Sequence, residues 1–270
     1  MTGPKEVAIS SNLLQKIVEK TGDDVVLVGG QALGFWAQHY DIGLQLADFG
    51  GSVSKDADFL GKRKHLDAIK DGFGDSAKIE LAPRRGLTAL VGSVQIRLSD
   101  AEFVNIDVIH KVHGLDTNHV IKTAAKVKVG DAFILIMHPL DVLESRVANL
   151  AHLKDKQQPG SNGKAQAHLA IRVARRYVEE LAVDPGKEAQ ALRAIEKIVS
   201  IAKSGAGRRV SRDYAVRFFS AIPERSIRTE EFHHRRWPQI CDELATAAAH
   251  GKEQTRNDSP PEDEKHDPCR

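Results

Sequence analysis

The strongest constraint on the fold is a change of hydrophobic pattern at His138-Pro139. Before this point, short β-branched or alternating runs predict strands over residues 25–28, 56–59, 77–81, 88–98, 102–109, 126–129 and 132–137, with helices over 7–20, 31–40 and 62–73. After it, apolar residues recur at helical spacing over 140–153, 164–182, 187–203, 212–221 and 238–250. We therefore expect an α/β (α+β) fold, in which a small mixed β-sheet flanked by helices is followed by a C-terminal helical domain.

The same change of pattern predicts the domain boundaries. The sheet core is expected over residues 1–139 and the helical domain over 140–250. Residues 251–270 contain Pro260-Pro261, many charged residues and almost no apolar ones. Such a segment cannot offset its conformational entropy by burial, so we expect a disordered tail.

The composition is typical of a globular protein and argues against a disulfide-rich, zinc-binding or membrane-spanning one. The chain has 270 residues and 41% hydrophobic content, enough for a genuine core. Its two cysteines, Cys241 and Cys269, exclude a disulfide framework or a zinc site. No apolar run approaches the ~20 residues of a membrane span, and residues 1–20 lack a leader pattern. The expectation is a cytoplasmic protein without a membrane partner.

Acidic residues form a candidate metal site. Asp56 and Asp58 lie two apart in the run Ser54-Lys55-Asp56-Ala57-Asp58-Phe59, and on a strand such residues point to the same side. If the strand over 104–109 lies beside them, Asp107 adds a third carboxylate to that face. Three carboxylates suit a divalent cation, Mg²⁺ or Mn²⁺, far better than apolar packing.

A second candidate feature lies upstream of the acidic run. The apolar run over 25–28 stops at Gly29-Gly30 and feeds a predicted helix. Glycine lets an anion approach the backbone amides at the positive end of a helix, which suits a phosphate group. Together with the carboxylates, this arrangement indicates transfer of a nucleotide.

The order of these features resembles the nucleotidyltransferase superfamily of the DNA polymerase beta type. Its signature is an apolar strand, Gly-Gly or Gly-Ser, a helix, Asp-x-Asp and a later single Asp, which Gly29, Gly30, Asp56, Asp58 and Asp107 match. More narrowly, residues 28–33 (Val-Gly-Gly-Gln-Ala-Leu) followed by residues 54–59 are similar to the abortive-infection toxin branch. The likeness covers roughly residues 24–180.

The resemblance implies a Mg²⁺-dependent transfer of a nucleotide from a nucleoside triphosphate to an RNA (tRNA-like) or protein acceptor. Gly29, Gly30 and Ser54 would cradle the triphosphate, and Arg146 or Lys55 would offset its charge. Asp107 would be the general base. A toxin of this branch would act in a toxin–antitoxin or phage-defence system, with an antitoxin protein as a partner.

Two departures from the family pattern are present in the sequence. The gap between Gly30 and Asp56 requires an insertion looped out around residues 41–53. The family's first helix after the sheet carries a Lys and, about two dozen residues later, an Asp. Here these positions hold Arg146 and the segment 164–168, which includes His168.

Basic residues concentrate in the later half. Residues 164–236 contain sixteen Lys or Arg and nine Asp or Glu. Seven arginines of this half could contact an RNA backbone or form an ordinary solvated face: Arg172, Arg175, Arg176, Arg208, Arg209, Arg212 and Arg217.

Four weaker patterns have structural interpretations beside functional ones. His110, His113 and His119 have poor spacing for a metal site. Residues 204–209 have the composition of a connection between helices, although a phosphate-binding turn is an alternative. Residues 232–237 mix aromatic and basic side chains, as a nucleic-acid surface does. Phe35 and Trp36 are expected in the core.

Two other functions remain open at this point. The same core supports transfer of a nucleotide to a small molecule such as an aminoglycoside antibiotic. A non-catalytic member of the fold could instead bind a nucleotide, RNA or a partner protein.

Overall fold

The computed structural model describes residues 3–22, 24–42, 55–83 and 88–257. Eight strands precede most of the helical structure: β1 (Lys5–Glu6), β2 (Val26–Val28), β3 (Ala57–Leu60), β4 (Ala77–Leu81), β5 (Leu90–Arg97), β6 (Glu102–Ile109), β7 (Ala125–Val129) and β8 (Ala132–Ile136). Four helices lie among them: α1 (Ser11–Thr21), α2 (Gly29–His39), α3 (Arg63–Phe73) and α4 (Thr117–Thr123). Six follow: α5 (Pro139–His152), α6 (Lys154–Gln157), α7 (Gly163–Val183), α8 (Glu188–Lys203), α9 (Gly205–Tyr214) and α10 (Trp237–Asn257).

The strands form one mixed sheet in the order β4-β5-β6-β3-β2-β8-β7. The pairs β3/β6 and β2/β8 are parallel, and the other neighbours in that order are antiparallel. Strand β1 pairs in parallel with the start of β6, along the edge that β3 joins farther on. The end of β1 therefore leads directly toward the start of β3.

Strands β5 and β6 have one buried face and one open face. In β6, Val104, Ile106 and Val108 are fully buried, whereas Asn105 and Asp107 alternate with them and are partly exposed. Helix α3 covers the buried face, where a Cβ built on Gly92 would lie 2.9 Å from Leu66. The alternation therefore leaves polar side chains on the opposite face, open to a ligand.

The helical half is packed onto the sheet part through α2. Trp36 Nε1 donates a hydrogen bond to the Met137 carbonyl at 2.8 Å, and Tyr40 Oη donates to Glu180 on α7 at 2.9 Å. Pro139 stands at the start of α5, where its missing N–H costs nothing. Buried residues from both halves belong to one hydrophobic cluster.

The predicted fold class is confirmed: a mixed sheet flanked by helices precedes a helical C-terminal region. The prediction for Trp36 is also confirmed, because it is buried. The hairpin predicted around Gly130-Asp131 is present as β7 and β8.

Some element boundaries were predicted wrongly. The first helix begins at Ser11, and Ser10 caps it by accepting a hydrogen bond from the Leu13 amide. Gly29 and Gly30 open helix α2 instead of forming a separate turn before it. Asp56 lies just before β3 and not within it.

Helix α9 is the largest correction. Residues 205–209, interpreted as a connection, form its first half, and the helix predicted over 212–221 ends at Tyr214. The Ser204 hydroxyl caps α9 by accepting a hydrogen bond from the Gly207 amide at 2.9 Å. A favourable cap and packing against neighbouring helices outweigh the low helix propensity of the two glycines.

The domain division at residues 139 and 250 stays a prediction. Helix α10 continues past Gly251 to Asn257, and residues 258–270 lie outside the described residues. Within the described ranges, no helix is both long and apolar enough to cross a membrane.

Candidate active site

The register of the sheet brings Asp58 and Asp107 together. Asp58 on β3 is paired with Asp107 on β6, and Asp107 is paired with Ser93 on β5. Paired residues on neighbouring strands point to the same face, with Cβ atoms about 5 Å apart. The open face of the sheet therefore presents two adjacent carboxylates that lie 49 positions apart in the sequence.

Gly29 is adapted to the carboxylate of Asp58. Val28 on β2 pairs with Asp58, so the chain enters α2 directly beside this side chain. Gly29 has φ +69°, and a Cβ built on it would lie 2.0 Å from Asp58 Oδ2 and 3.0 Å from Asp58 Cβ. Both the backbone conformation and the close approach require glycine. The predicted Gly-Gly and Asp-x-Asp features thus meet at one point.

Negative charge is crowded at this point. The pKa of Asp58 is raised to about 6, first by burial and next by the charge of Asp107; Arg146 acts in the opposite direction. Removing an ionised carboxylate from water and placing it beside another one disfavours ionisation. A bound cation would relieve that cost.

Asp107 is oriented by two donors. The Ser93 hydroxyl donates to Asp107 Oδ1 at 2.7 Å, and Asn105 Nδ2 donates to the same oxygen at 2.9 Å. Both donors lie on the open face of the sheet. Their contacts fix the carboxylate and leave Oδ2 as the oxygen directed to other partners.

Asp56 is joined by Glu6, a residue that no sequence pattern selects. Glu6 at the end of β1 forms a hydrogen bond with Asp56, and this bond is the main reason why the pKa of Glu6 is raised to about 7. Burial and the charge of Asp56 act in the same direction, whereas Lys55 lowers the pKa. Glu6 therefore keeps its proton to a higher pH than a free glutamate does, and the protonated carboxyl can donate a hydrogen bond to Asp56.

Arg146 brings a buried positive charge to the site. Its Nη1 donates to Gln166 Oε1 at 3.2 Å and its Nη2 donates to the Ser145 hydroxyl at 3.2 Å. The buried Nε has no hydrogen-bond partner among the described residues. Burial lowers the pKa of Arg146, and the charge of Asp58 partly offsets this effect. An unsatisfied guanidinium N–H near a carboxylate centre is suited to an anionic ligand.

Lys156 is a second cation near Asp58. It lies on the short helix α6, and its charge lowers the pKa of Asp58. Its Nζ lies 3.7 Å from the exposed carboxylate of Asp155. Nothing in the sequence pattern around α6 marked Lys156 as a site residue.

A cleft of about 370 Å³ adjoins the carboxylates on the open face of the sheet. We call it the acidic cleft. Its polar lining comprises Glu6, Asp56, Glu80, Ser93, Gln95 and Asn105. None of its described lining residues is basic.

The donor set fits a divalent cation. Carboxylate oxygens are the preferred ligands of Mg²⁺ and Mn²⁺, and the raised pKa of Asp58 reflects the crowding that such an ion would neutralise. Across the described ranges, however, no three His, Cys, Asp or Glu side chains already form a group that could hold a metal ion. Binding would require the carboxylates to rearrange, so the assignment of Asp56, Asp58 and Asp107 as metal ligands stays a prediction.

The remaining predicted site residues lie in different settings. Gly30 is buried in the first turn of α2, and Lys55 is exposed just before β3, close enough to Glu6 to lower its pKa. Ser54 and most of the expected 41–53 insertion lie outside the described residues. The sheet and α5 bring Asp58, Asp107, Gly29 and Arg146 into one neighbourhood.

The weaker patterns have structural roles. His119 bonds Asp141 at 3.0 Å, while His113 contacts the ring of His152. In residues 232–237, Phe232 is buried, and Arg236 forms ion pairs with Glu196 and Glu243. These contacts account for the mixture of aromatic and basic residues.

Comparisons with known proteins assign no family and no activity to this chain. No protein-family model and no curated protein matches the chain. Two solved structures from Helicobacter pylori are similar to most of it. JHP933 is 12% identical, with a TM-score of 0.35, over 91% of this chain and 93% of that one. A protein described as a "putative nucleotidyltransferase" is 14% identical, with a TM-score of 0.33, over 92% and 96%. At these values neither likeness assigns an activity, which has to be argued from the site itself.

Proposed function

We propose that this chain is a nucleotidyltransferase that moves a nucleotide from a nucleoside triphosphate to a hydroxyl acceptor. The observation that carries the proposal is the pairing of Asp58 with Asp107, with the backbone of Gly29 pressed against Asp58. Two carboxylates beside a glycine at a helix start can serve a phosphate group and its cation together.

In the proposed reaction, the acceptor oxygen bonds to the α-phosphorus, and the bond from that phosphorus to the oxygen leading to the β-phosphate breaks. Pyrophosphate leaves, and the hydroxyl proton passes to Asp107 or to water. Ser93 and Asn105 hold Oδ1 of Asp107, so Oδ2 is the oxygen available for the proton. A bound Mg²⁺ or Mn²⁺ would supply positive charge that offsets the charge of the phosphates.

The two cations near Asp58 suit the triphosphate. Arg146 is held by Gln166 and Ser145 and keeps one buried N–H without a partner in the described part of the chain. Lys156 adds a partly exposed charge. The fixed guanidinium would position a phosphate, and the flexible ammonium would follow the leaving group.

The direct test uses α-labelled nucleoside triphosphates, each of the four in turn, with Mg²⁺ and total RNA. The wild-type chain is expected to label an acceptor, and Asp58→Ala should lower the rate about 100-fold or more. Asp71→Ala is the matched control, because Asp71 is an exposed carboxylate on α3. Equal labelling by wild type and Asp58→Ala would sink the assignment. Calorimetric binding of a triphosphate without turnover would favour the non-catalytic alternative.

The acidic cleft favours a second candidate acceptor. Its carboxylates and amides could bind a polyhydroxylated amine, such as an aminoglycoside, next to Asp56 and Asp107. Incubation of the chain with labelled triphosphate and aminoglycosides distinguishes the two. A labelled antibiotic without labelled RNA would select the small-molecule reaction.

A toxin role is part of the proposal through the resemblance of residues 28–33 and 54–59 to abortive-infection toxins. Induced expression should then arrest growth for wild type and not for Asp58→Ala. Rescue by a protein encoded beside it would identify the antitoxin. Growth unaffected by an active enzyme would remove this role and leave the reaction intact.

A further inference from the structure

A cleft in the helical half has a volume of about 690 Å³ and lies between the start of α7 and the segment after α9. We call it the basic cleft. Its lining comprises Ser161, Lys164, His168, Arg172, Arg217 and Ser220, with the apolar residues Ala165, Ile171 and Ala215. No carboxylate lines it among the described residues.

Among the described residues, two cations of the basic cleft lack the carboxylate partners that several arginines of the helical half have. Four of the seven arginines predicted as a basic face pair with carboxylates: Arg175 and Arg176 with Glu179, and Arg209 and Arg212 with Asp213. By contrast, Lys164 and Arg217 are exposed, and neither side chain has a hydrogen-bond or ion-pair partner in the described part of the chain. Lys164 and Arg217 therefore bring uncompensated positive charge into one concave site.

Helix geometry aligns these charges. Lys164, His168 and Arg172 are spaced four residues apart on α7, so they form a stripe about 12 Å long at 1.5 Å per residue. Arg217 approaches from the other wall, where Ala215 ends α9 in the left-handed conformation with φ 55°. The stripe is long enough for several successive phosphates, which rise by about 3.4 Å per nucleotide in a stacked strand.

The lowered pKa of His168 reflects its burial and the positive charges around it in the cleft. Burial lowers its pKa first, and the charges of Lys164 and Arg172 lower it further. Its Nε2 lies 3.4 Å from the Tyr214 carbonyl, which acts in the opposite direction. An anion bound in the cleft would offset the repulsion between the positive charges of Lys164, Arg172 and a protonated His168.

The basic cleft is connected to the carboxylate centre through the start of α7. The Ser161 hydroxyl donates to the Lys156 carbonyl at 2.7 Å, and the Lys156 side chain acts on Asp58. Gln166, on the first turns of α7, contacts Arg146. The residues at and just before the start of α7 thus contribute to both regions.

We propose that the basic cleft binds consecutive phosphates in the sugar–phosphate backbone of a single-stranded RNA acceptor. As an acceptor site, this inference rests on the proposed nucleotidyl transfer; binding itself does not require turnover. Lys164, Arg172 and Arg217 contact the phosphates, and the base sequence is not read by these side chains.

The test is fluorescence anisotropy with a labelled single-stranded RNA over a range of salt concentrations. Lys164→Ala/Arg217→Ala should weaken binding about 10-fold or more at low salt and reduce the salt slope by about 0.7 per lost contact. The matched control is Arg193→Ala/Arg225→Ala, which removes two exposed arginines outside the cleft. Its affinity should stay within about twofold of wild type, because the net charge changes equally but the cleft does not.

Equal loss of affinity in both double variants, or no RNA binding by wild type, would overturn the inference. Equal binding of a DNA strand of the same sequence supports backbone recognition, and binding of mononucleotides in preference to RNA opposes it. Asp58→Ala separates the two proposals: it should lose labelling and keep RNA affinity. RNA binding without labelling by wild type would refute the transfer reaction alone, whereas labelling of RNA unaffected by Lys164→Ala/Arg217→Ala would refute the cleft alone.

Discussion

The carboxylate pair beside the acidic cleft, Asp58 and Asp107, differs from the cations of the basic cleft in charge and in the kind of structure that positions it. Asp58 and Asp107 meet because two strands pair in one register, across a long stretch of intervening sequence. Lys164, His168 and Arg172 align because a single helix repeats. A pairing between strands that are distant in sequence can hold like charges rigidly at close distance, which suits a catalytic site. A helical stripe spaces its charges along a surface, which suits binding of a long ligand.

The two regions also differ in how their charges are compensated. At the sheet, Arg146 and Lys156 lower the pKa of Asp58, yet that pKa remains raised to about 6. In the basic cleft, no described carboxylate faces Lys164 or Arg217. The first region therefore favours a cation and the second an anion, and variants can test each separately.

Gly29→Ala is expected to have the largest effect on stability. The new Cβ collides with the Asp58 carboxylate, and the positive φ adds strain, so together they should cost about 2–5 kcal/mol of the free energy of unfolding. Transfer activity should fall as well, because Asp58 must move. Urea unfolding and the labelling assay measure both effects.

Gly160→Ala is the control for Gly29→Ala. Gly160 also has a positive φ, of 81°, but a Cβ there would meet nothing within 4 Å. Gly160→Ala should lower the free energy of unfolding by only about 1 kcal/mol and leave the transfer activity unchanged. An equal loss of stability in the two variants would mean that Gly29 is needed only for its backbone conformation, and not to leave space for the Asp58 side chain.

Asp58→Asn should stabilise the chain in a pH-dependent way. The folded-state pKa of Asp58 is about 6, above its ordinary value of 3.8, so ionisation above pH 6 destabilises the folded state. The variant should be more stable than wild type at pH 7.5 by at most about 3 kcal/mol. The difference should shrink as pH falls from about 6 to 4, because the folded wild type then takes up the proton.

Unfolding of wild type and Asp58→Asn at pH 4.5, 6 and 7.5 measures this difference. Asp71→Asn, at an exposed position on α3, controls for general loss of a negative charge. A stability difference that is the same at all three pH values would contradict the burial of Asp58 and its crowding by Asp107.

Ala215→Gly should have the smallest effect, at the wall of the basic cleft. Glycine relieves the strain of the left-handed conformation at φ 55°. It also increases the conformational entropy of the unfolded chain, which offsets part of that effect. The free energy of unfolding should therefore rise by about 0.5–1 kcal/mol. Ala206→Gly, within helix α9, should instead lower the free energy of unfolding by about 1 kcal/mol. Thermal unfolding compares them, and a loss in both variants would show that Ala215 is not strained.

Particular residues show where sequence reasoning succeeds. Alternation of apolar and polar residues over 102–109 predicts β6 with its bounds, and two-residue spacing predicts that Asp58 faces outward. Periodicity predicts α7 to within a residue or so at each end. These are local patterns, because neighbouring residues alone set them.

Other residues show where it fails. Glu6 lies in a two-residue strand whose only signal is its pairing with β6, and Lys156 lies on a four-residue helix. Periodicity requires several turns or alternations, so elements this short leave no pattern. Helix α9 was missed because glycines at 205 and 207 resemble a connection, while its cap and its packing decide otherwise.

The sequence by itself determined the class of fold, the strand and helix that carry the main candidate residues, and the presence of carboxylates, paired glycines and an excess of basic residues. Only the tertiary structure decided that Asp58 pairs with Asp107, that Gly29 lies against Asp58 and that Arg146 is buried beside them. It also decided which cations are neutralised by carboxylates and which line the basic cleft. The physical reason is that charge and burial depend on distances between residues far apart in the chain, which strand register and helix packing set and local patterns do not.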